Sequence, residues 1–483
     1  MSELLSRSGR KKFQVFTPQK QVEEMLDVAE YLSSNDLVGK KVLEPSFGDG
    51  EILEGIVRRY INCALNHGLS KKAISEGLSN DIYGIEIDNE LFKIGLNRLD
   101  HLVHEYELPK VVWKFFNINT LKWESAIRFD FIIGNPPYIT YHEIDPVERN
   151  FVKEKFVSCG FGRFDYCYAF IEQGINLLSR FGTLVQLVPN SIYKNVYAER
   201  LRTILLPGVI EVQEYPDNKL FKDALTTVSI LKFKNNKYSK TLKYYNRTMG
   251  KMSILQKDAL KDKWVFEEPH DPDGTSVRFG DLFDVHNSVV TLLNRAFILD
   301  EKIITDRKIE DDILRPAVSP KSLKYGRKEW IIYPYKNQGK LIRFYEDELF
   351  DKFPHAMSYL SQFKSELLRR SSDKNTKWFE YGRTQALAHI MKEKVVISNT
   401  ITSVTNPESV RSSVIPYAGL CVTIKDKDSS LNEAVSILKS EQFIEYARSI
   451  GVKINGKSVR ITSRDILGYR FIRRNNGKIA IHN

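Results

Sequence analysis

The chain has 483 residues and a mass of 55.9 kDa, enough for two or three domains with a sizeable core. No apolar run approaches the ~18 residues of a membrane span, and the opening Met-Ser-Glu-Leu-Leu-Ser-Arg has no apolar signal core. The formal charge of +11 is unevenly placed: residues 241–483 hold 41 Lys and Arg against 30 Asp and Glu, leaving 31 of each sign in residues 1–240. A neutral half followed by a basic half suits an enzyme that holds a polyanion. Cys63, Cys159, Cys167 and Cys421 have no metal-ligand spacing, so reduced thiols in a cytoplasmic protein are expected, with no metal.

In chain order, residues 1–12 form a polar, basic arm. Phe16-Thr17-Pro18-Gln19 follows and leads into a helical stripe of Val22, Met25, Leu26 and Ala29, with Thr17 expected as N-cap and Pro18 at the first helical position. Lys41-Val42-Leu43-Glu44-Pro45-Ser46-Phe47-Gly48-Asp49-Gly50 reads as strand, turn and helix start, the helix carried by Ile52, Leu53, Ile56, Val57 and Tyr60. Its glycines let backbone approach a ligand at a helix N-terminus. No Gly-Lys-Ser/Thr follows, which speaks against a nucleotide-phosphate loop. Glu44 at the strand end suits a cationic group, such as an α-ammonium, better than a phosphate. Residues 82–88 give a second buried strand ending in acids, where a carboxylate at the strand tip can accept both hydroxyls of a ribose. A third strand and loop end near Asn119.

Residues 131–133 are a short buried strand that stops at Gly134 and opens into Asn135-Pro136-Pro137-Tyr138. Two prolines fix φ and donate nothing to a ladder, so the strand ends there on a stiff turn. That turn offers an amide side chain, peptide carbonyls and an aromatic ring, a pocket for a flat group with an NH2 on its rim. Residues 139–157 read as a polar loop. Strand and helix patterns alternate again to residue 233, which implies a parallel, doubly wound α/β sheet. Beyond residue 240 the pattern breaks into a unit in which Arg and Lys alternate with Tyr and Trp, with one helix expected over 357–370. No convincing Pro-Asp…Asp/Glu-x-Lys nuclease constellation stands out, and no fused endonuclease is expected.

Asn135-Pro136-Pro137-Tyr138 resembles the catalytic motif of amino-group methyltransferases acting on adenine in DNA, a motif shared with the methyltransferase of release-factor glutamine. Phe16-Thr17-Pro18 near the N-terminus resembles the cofactor-proximal motif of the gamma-type adenine DNA methyltransferases of type II restriction-modification systems. The strand-Glu44-Pro45-Ser46-x-Gly48-x-Gly50 order resembles their S-adenosylmethionine motif. The resemblance implies a seven-stranded, Rossmann-like catalytic domain over 1–240 and a C-terminal mixed α+β target-recognition domain over 241–483. It implies S-adenosylmethionine as cofactor, held by Phe16, Thr17, Pro18, Glu44, Pro45, Ser46, Gly48, Gly50, Glu86 and Asn119, although the family usually has Asp where Asn119 stands. Asn135, Pro136, Pro137 and Tyr138 are the implied catalytic residues, with Tyr138 and Phe221 stacking on the base. Arg315, Arg327 and Arg383 are candidate DNA contacts. The implied reaction is methylation of N6 of a flipped-out adenine in double-stranded DNA by a cytoplasmic monomer. Such an enzyme is either the modification partner of a separately encoded restriction endonuclease or an orphan. Methylation of a glutamine amide or of RNA is the alternative that the residues leave open.

Overall fold

The computed structural model describes residues 17–215, 227–236, 238–260, 262–266, 276–337, 341–454 and 458–473, which fall into two compact units, Met1–Phe266 and Glu267–Asn483. In the first unit, β1 (Val42–Glu44), β2 (Ile82–Ile85), β3 (Lys114–Phe116), β4 (Phe129–Gly134), β5 (Leu178–Pro189), β6 (Val209–Tyr215), β7 (Val228–Lys234), β8 (Thr241–Asn246) and β9 (Lys251–Gln256) build one nine-stranded sheet in the order β3-β2-β1-β4-β5-β7-β6-β8-β9. Strands β1 to β5 run parallel, β7 is antiparallel to both its neighbours, β8 is parallel to β6, and β9 is antiparallel to β8. The sheet therefore exceeds the seven strands expected. Because β8 and β9 continue it, the first unit runs past the division expected at 240/241.

Alternate residues of each central strand enter opposite cores, as a period of two requires. Val42, Ile133, Val185 and Ile230 lie in one core, whereas Leu43, Ile132, Leu184 and Leu231 lie in the other. The first core is covered by α1 (Gln19–Val28), α2 (Glu51–Asn66), α3 (Lys71–Asp81) and α4 (Asn89–Glu105), through Met25, Ile56, Ile74 and Leu99 among others. The second takes Val152 of α5 (Pro146–Lys155) and Tyr168 and Ile171 of α6 (Cys167–Leu177). A sheet buried on both faces needs near-continuous apolar strands, as in Ile82–Ile85 of β2 and Phe131-Ile132-Ile133 of β4. Strand β1 has β2 on one side and β4 on the other, so the chain order reverses there. In open α/β sheets, ligands lie outside the carboxyl ends of strands at such a reversal.

Two local expectations change. Residues 139–157 are not simply a loop, because α5 occupies part of them: Asp145 Oδ1 accepts the N–H groups of Val147 (2.9 Å) and Glu148 (3.3 Å), with Pro146 at the first turn. At α1 the N-cap is Pro18 and not Thr17, whose hydroxyl is engaged elsewhere.

The second unit is built from short, mostly antiparallel strands. One four-stranded sheet joins Phe283–Asn287, Leu420–Ile424, Lys394–Ile397 and Glu408–Val410. The other joins Ile298–Leu299, Glu329–Ile332, Leu314–Val318 and Ile415–Pro416. Helices Leu431–Lys439 and Glu441–Ile450 share the core of the first sheet. The helix expected over 357–370 is two shorter ones, Pro354–Ser361 and Lys364–Leu368.

Candidate functional site

Strand β1 delivers Glu44 to the reversal point, where it is 1% exposed. Its Oε2 has no hydrogen-bond partner among the described residues. Burial, with the nearby Asp49 and Glu86 carboxylates, pushes its pKa well above the usual carboxylate range. The chain then turns: Phe47 N–H donates to Ile85 O (3.1 Å) and Gly50 N–H to Phe47 O (2.8 Å). Gly48 and Gly50 sit at φ +57° and +88°. A side chain at Gly48 would meet nothing within 4 Å, so the loop there faces open space, whereas one at Gly50 would strike Gly95 backbone at 3.0 Å. Gly50 is also the N-cap of α2.

Glu86, just past β2, closes this turn from the neighbouring strand. Its Oε2 accepts Gly48 N–H (2.9 Å) and its Oε1 accepts Asp88 N–H (2.8 Å). Burial raises its pKa, against these backbone donors. Asn119 lies at the corresponding end of the β3 segment. Its Oδ1 accepts Leu121 N–H (2.9 Å), and its Nδ2 donates to Glu148 Oε1 (3.0 Å). Glu148 also accepts from Tyr166 OH (2.8 Å) and pairs with Lys122 (2.8 Å). The sequence gives no sign of this Asn119–Glu148–Tyr166 network, because its members come from a strand end and two separate helical segments.

The turn after β4 is tied to both other segments. Asn135 Nδ2 donates to Thr17 Oγ1 (3.1 Å), and Ser46 Oγ donates to the Asn135 carbonyl (3.1 Å). The Thr120 hydroxyl bonds Pro45 O. Thus Thr17, Ser46 and Asn135 converge, while Pro18 caps the helix beside them and Pro45 packs within 3.1 Å of where a Gly134 side chain would begin. Pro136 is buried and Pro137 half-buried. Tyr138 is also half-buried; its OH donates to Leu187 O of β5 (2.9 Å), and burial drives its phenol pKa well up. Asp165, bridged to Thr140 through the backbone, lies near Tyr138, and burial lifts its carboxyl to about 6. Phe16 and Phe221 lie outside the described residues.

In the second unit, Arg315 Nη1 donates to Leu314 O (2.6 Å) and Asp312 O (2.9 Å), and the guanidinium lies over the Tyr333 ring at 5.6 Å. Arg383 pairs with Asp373 (2.8 Å). Arg327 is exposed beside Tyr325, 5.7 Å from its ring centre. The three arginines occupy separate segments.

Residues 56–221 match the family model of the Eco57I restriction-modification methylase. The chain is 26% identical over 420 residues to the type II methyltransferase M.BstVI of Geobacillus stearothermophilus, covering 76% of this chain and 73% of that protein. It is 25% identical over 335 residues to the type II restriction enzyme and methyltransferase RM.Eco57I of Escherichia coli, spanning only 33% of that longer protein. Among solved structures, it resembles the type IIL restriction-modification enzyme MmeI in complex with DNA, with a TM-score of 0.60 at 14% identity over 93% of this chain and 65% of that one. This last likeness is one of fold. Over residues 56–221, the chain is thus similar to the Eco57I restriction-modification methylase family.

Proposed function

We propose that this protein is an S-adenosylmethionine-dependent DNA methyltransferase that modifies N6 of an adenine rotated out of the duplex. The observation that carries the reading is the pair of bonds at Asn135, one to Thr17 and one to Ser46, which join the amide-bearing turn to the segment before α1 and to the glycine loop. The residues present fit the cofactor. Glu44 is a buried carboxylate with an oxygen that lacks a donor among the described residues, placed for an ammonium group. Gly48 borders open space, and Glu86 stands at the next strand end, where ribose hydroxyls would find acceptors. When bound, S-adenosylmethionine supplies an electrophilic methyl group.

The adenine amino nitrogen is a poor nucleophile because its lone pair is delocalised into the ring. The Asn135 side-chain oxygen and the Pro136 carbonyl accept its two N–H bonds and favour a pyramidal nitrogen. They also stabilise the positive charge that develops there. Two consecutive prolines hold these acceptors without reorganisation, so the remaining contribution is positioning. Tyr138 offers a ring pinned by its OH to β5, and stacking on such a ring is worth ~1–3 kcal/mol. That offsets much of the few kcal/mol that flipping a base costs. The basic second unit holds the duplex and chooses the site. The enzyme acts in the cytoplasm as a monomer, as the modification partner of a separately encoded endonuclease.

The test is methyl transfer from labelled S-adenosylmethionine to DNA, with nucleoside analysis of the product. N6-methyladenine as the labelled nucleoside supports the reading. Label in N4-methylcytosine, in RNA or in a protein glutamine contradicts it.

A further inference from the structure

We infer that the connection between strands Leu314–Val318 and Glu329–Ile332 grips the phosphate backbone of duplex DNA through Lys321, Lys324, Arg327 and Lys328. The inference rests on the DNA-methyltransferase reading and adds to it a particular binding surface. The two strands are antiparallel partners, with Ala317 opposite Glu329, so residues 319–328 form the tip of a hairpin. Residues 321–328 contain four cations and no acid. All four are exposed, and none makes an ion pair with another described residue. Six cations elsewhere in the unit, Arg295, Lys336, Arg343, Lys364, Arg383 and Arg473, by comparison each face a carboxylate. The acid that follows the tip, Glu329, is occupied by Tyr417 OH at 2.7 Å.

A merely solvated basic run would not need a rigid mount, and this one has one. The short helix Pro320–Lys324 is closed at its start by a reciprocal capping box between Ser319 and Ser322, with Pro320 at the first turn. It is closed at its end by Gly326 at φ +62°, with Gly326 N–H donating to Leu323 O (3.1 Å) and Arg327 N–H to Ser322 O (2.9 Å). This is the paired 6→1 and 5→2 pattern that stops a helix at a left-handed glycine. Ser319 and Ser322 are buried, and Tyr417 OH also reaches Ser319 Oγ (3.2 Å). A turn locked by its own backbone and two buried serines thus presents the four cations to solvent. Tyr325 stands exposed among them, with Lys324 and Arg327 at 5.6 and 5.7 Å from its ring. Its hydroxyl is available to a phosphate or sugar oxygen. Lysine ammonium groups read charge rather than base identity, so the partner they suit is a polyanionic backbone.

The experiment is a salt titration of binding to a random-sequence DNA duplex three helical turns long, followed by fluorescence anisotropy. Intact protein is compared with the full-length variant Lys321→Gln/Lys324→Gln/Arg327→Gln/Lys328→Gln. Each phosphate that is no longer neutralised lowers the log–log salt slope by ~0.9, so the variant's slope should be shallower by about 3 to 4, with a matching loss of affinity at low salt. Thermal unfolding and S-adenosylmethionine affinity should match the intact protein, and the same sites should be methylated in plasmid DNA, only more slowly. Replacing the three lysines by arginine should keep the slope. An unchanged slope in the glutamine variant overturns the inference while leaving the methyltransferase reading intact. So does a changed choice of methylated sites, which would make the tip a base reader, or a loss confined to duplex RNA. Failure of the intact protein to bind DNA overturns both together.

Discussion

Asn135 commits its side-chain nitrogen to Thr17 and its main-chain carbonyl to Ser46, so Asn135→Ala removes the side-chain acceptor and the Thr17 bond while the Ser46 bond remains. Asn135→Ala should cost ~2.7–4 kcal/mol of transition-state stabilisation, or roughly 10²–10³ in kcat, by analogy with the loss of one preorganised polar group. Single-turnover methylation measures it. Tyr138→Ala removes a stacking surface instead, so a mismatch opposite the target adenine, which lowers the flipping cost, should rescue it and leave Asn135→Ala impaired. Equal rescue of the two would contradict the assigned roles. Tyr138→Phe keeps the ring and loses the bond to Leu187 O, with an expected stability loss of ~0.5–1.5 kcal/mol and turnover largely retained. Glu44 gives a pH signature. Its folded pKa is raised, so its contribution to stability is present below the unfolded carboxyl pKa and fades as pH rises through the folded value. Melting temperatures followed from acid to alkaline pH should fall more for the native chain than for Glu44→Gln. An ammonium-bearing ligand should restore ionisation at Glu44, so cofactor binding should release a proton, seen by calorimetry in buffers of different ionisation enthalpy. Binding without proton release would remove Glu44 from that role.

At the scale of elements, the sequence was legible where a pattern is local. The strand before Asn135 announces itself by Phe131-Ile132-Ile133 and ends at the prolines, and the helix after Gly50 by its apolar spacing; β4 proves only slightly longer, Phe129–Gly134. Helix α5 was not legible because Val152 is its one buried side chain, too thin a stripe to show a period. The signal present was Asp145-Pro146, a capping residue before a first-turn proline. Strand β9 was hidden for a related reason: Met252 and Ile254 are exposed, so its alternation marks no core. The bond from Asn135 to Thr17 crosses 118 residues, and no spacing rule reaches that far. Glycine turns, by contrast, make a prediction of their own. Gly50→Ala meets both a φ of +88° and Gly95 backbone at 3.0 Å, whereas Gly48→Ala meets only the φ. Chemical denaturation should therefore show the larger loss for Gly50→Ala, beyond the ~1–2 kcal/mol of the left-handed conformation alone. Similar losses for the two would mean that the approach of α4 to the loop is not what requires glycine.

The whole molecule divides at Phe266, a point set by the sheet rather than by the change in composition near residue 240. A chain ending at Phe266 should retain cofactor affinity, whereas one ending at residue 240 should lose it with the sheet, since β8 and β9 complete the edge beyond β6. The unit ending at Phe266 should also lose site choice on DNA while the full chain keeps it; retained site choice would place recognition in the first unit. The central claim, that Asn135 directs a methyl group to N6 of adenine in DNA, is tested most directly by sequencing modified bases in genomic DNA from cells expressing the intact chain or Asn135→Ala. The intact chain should leave N6-methyladenine in one fixed sequence context, and the variant should leave that context unmodified. Unmodified adenine in cells with the intact chain, or full methylation by Asn135→Ala, would contradict it.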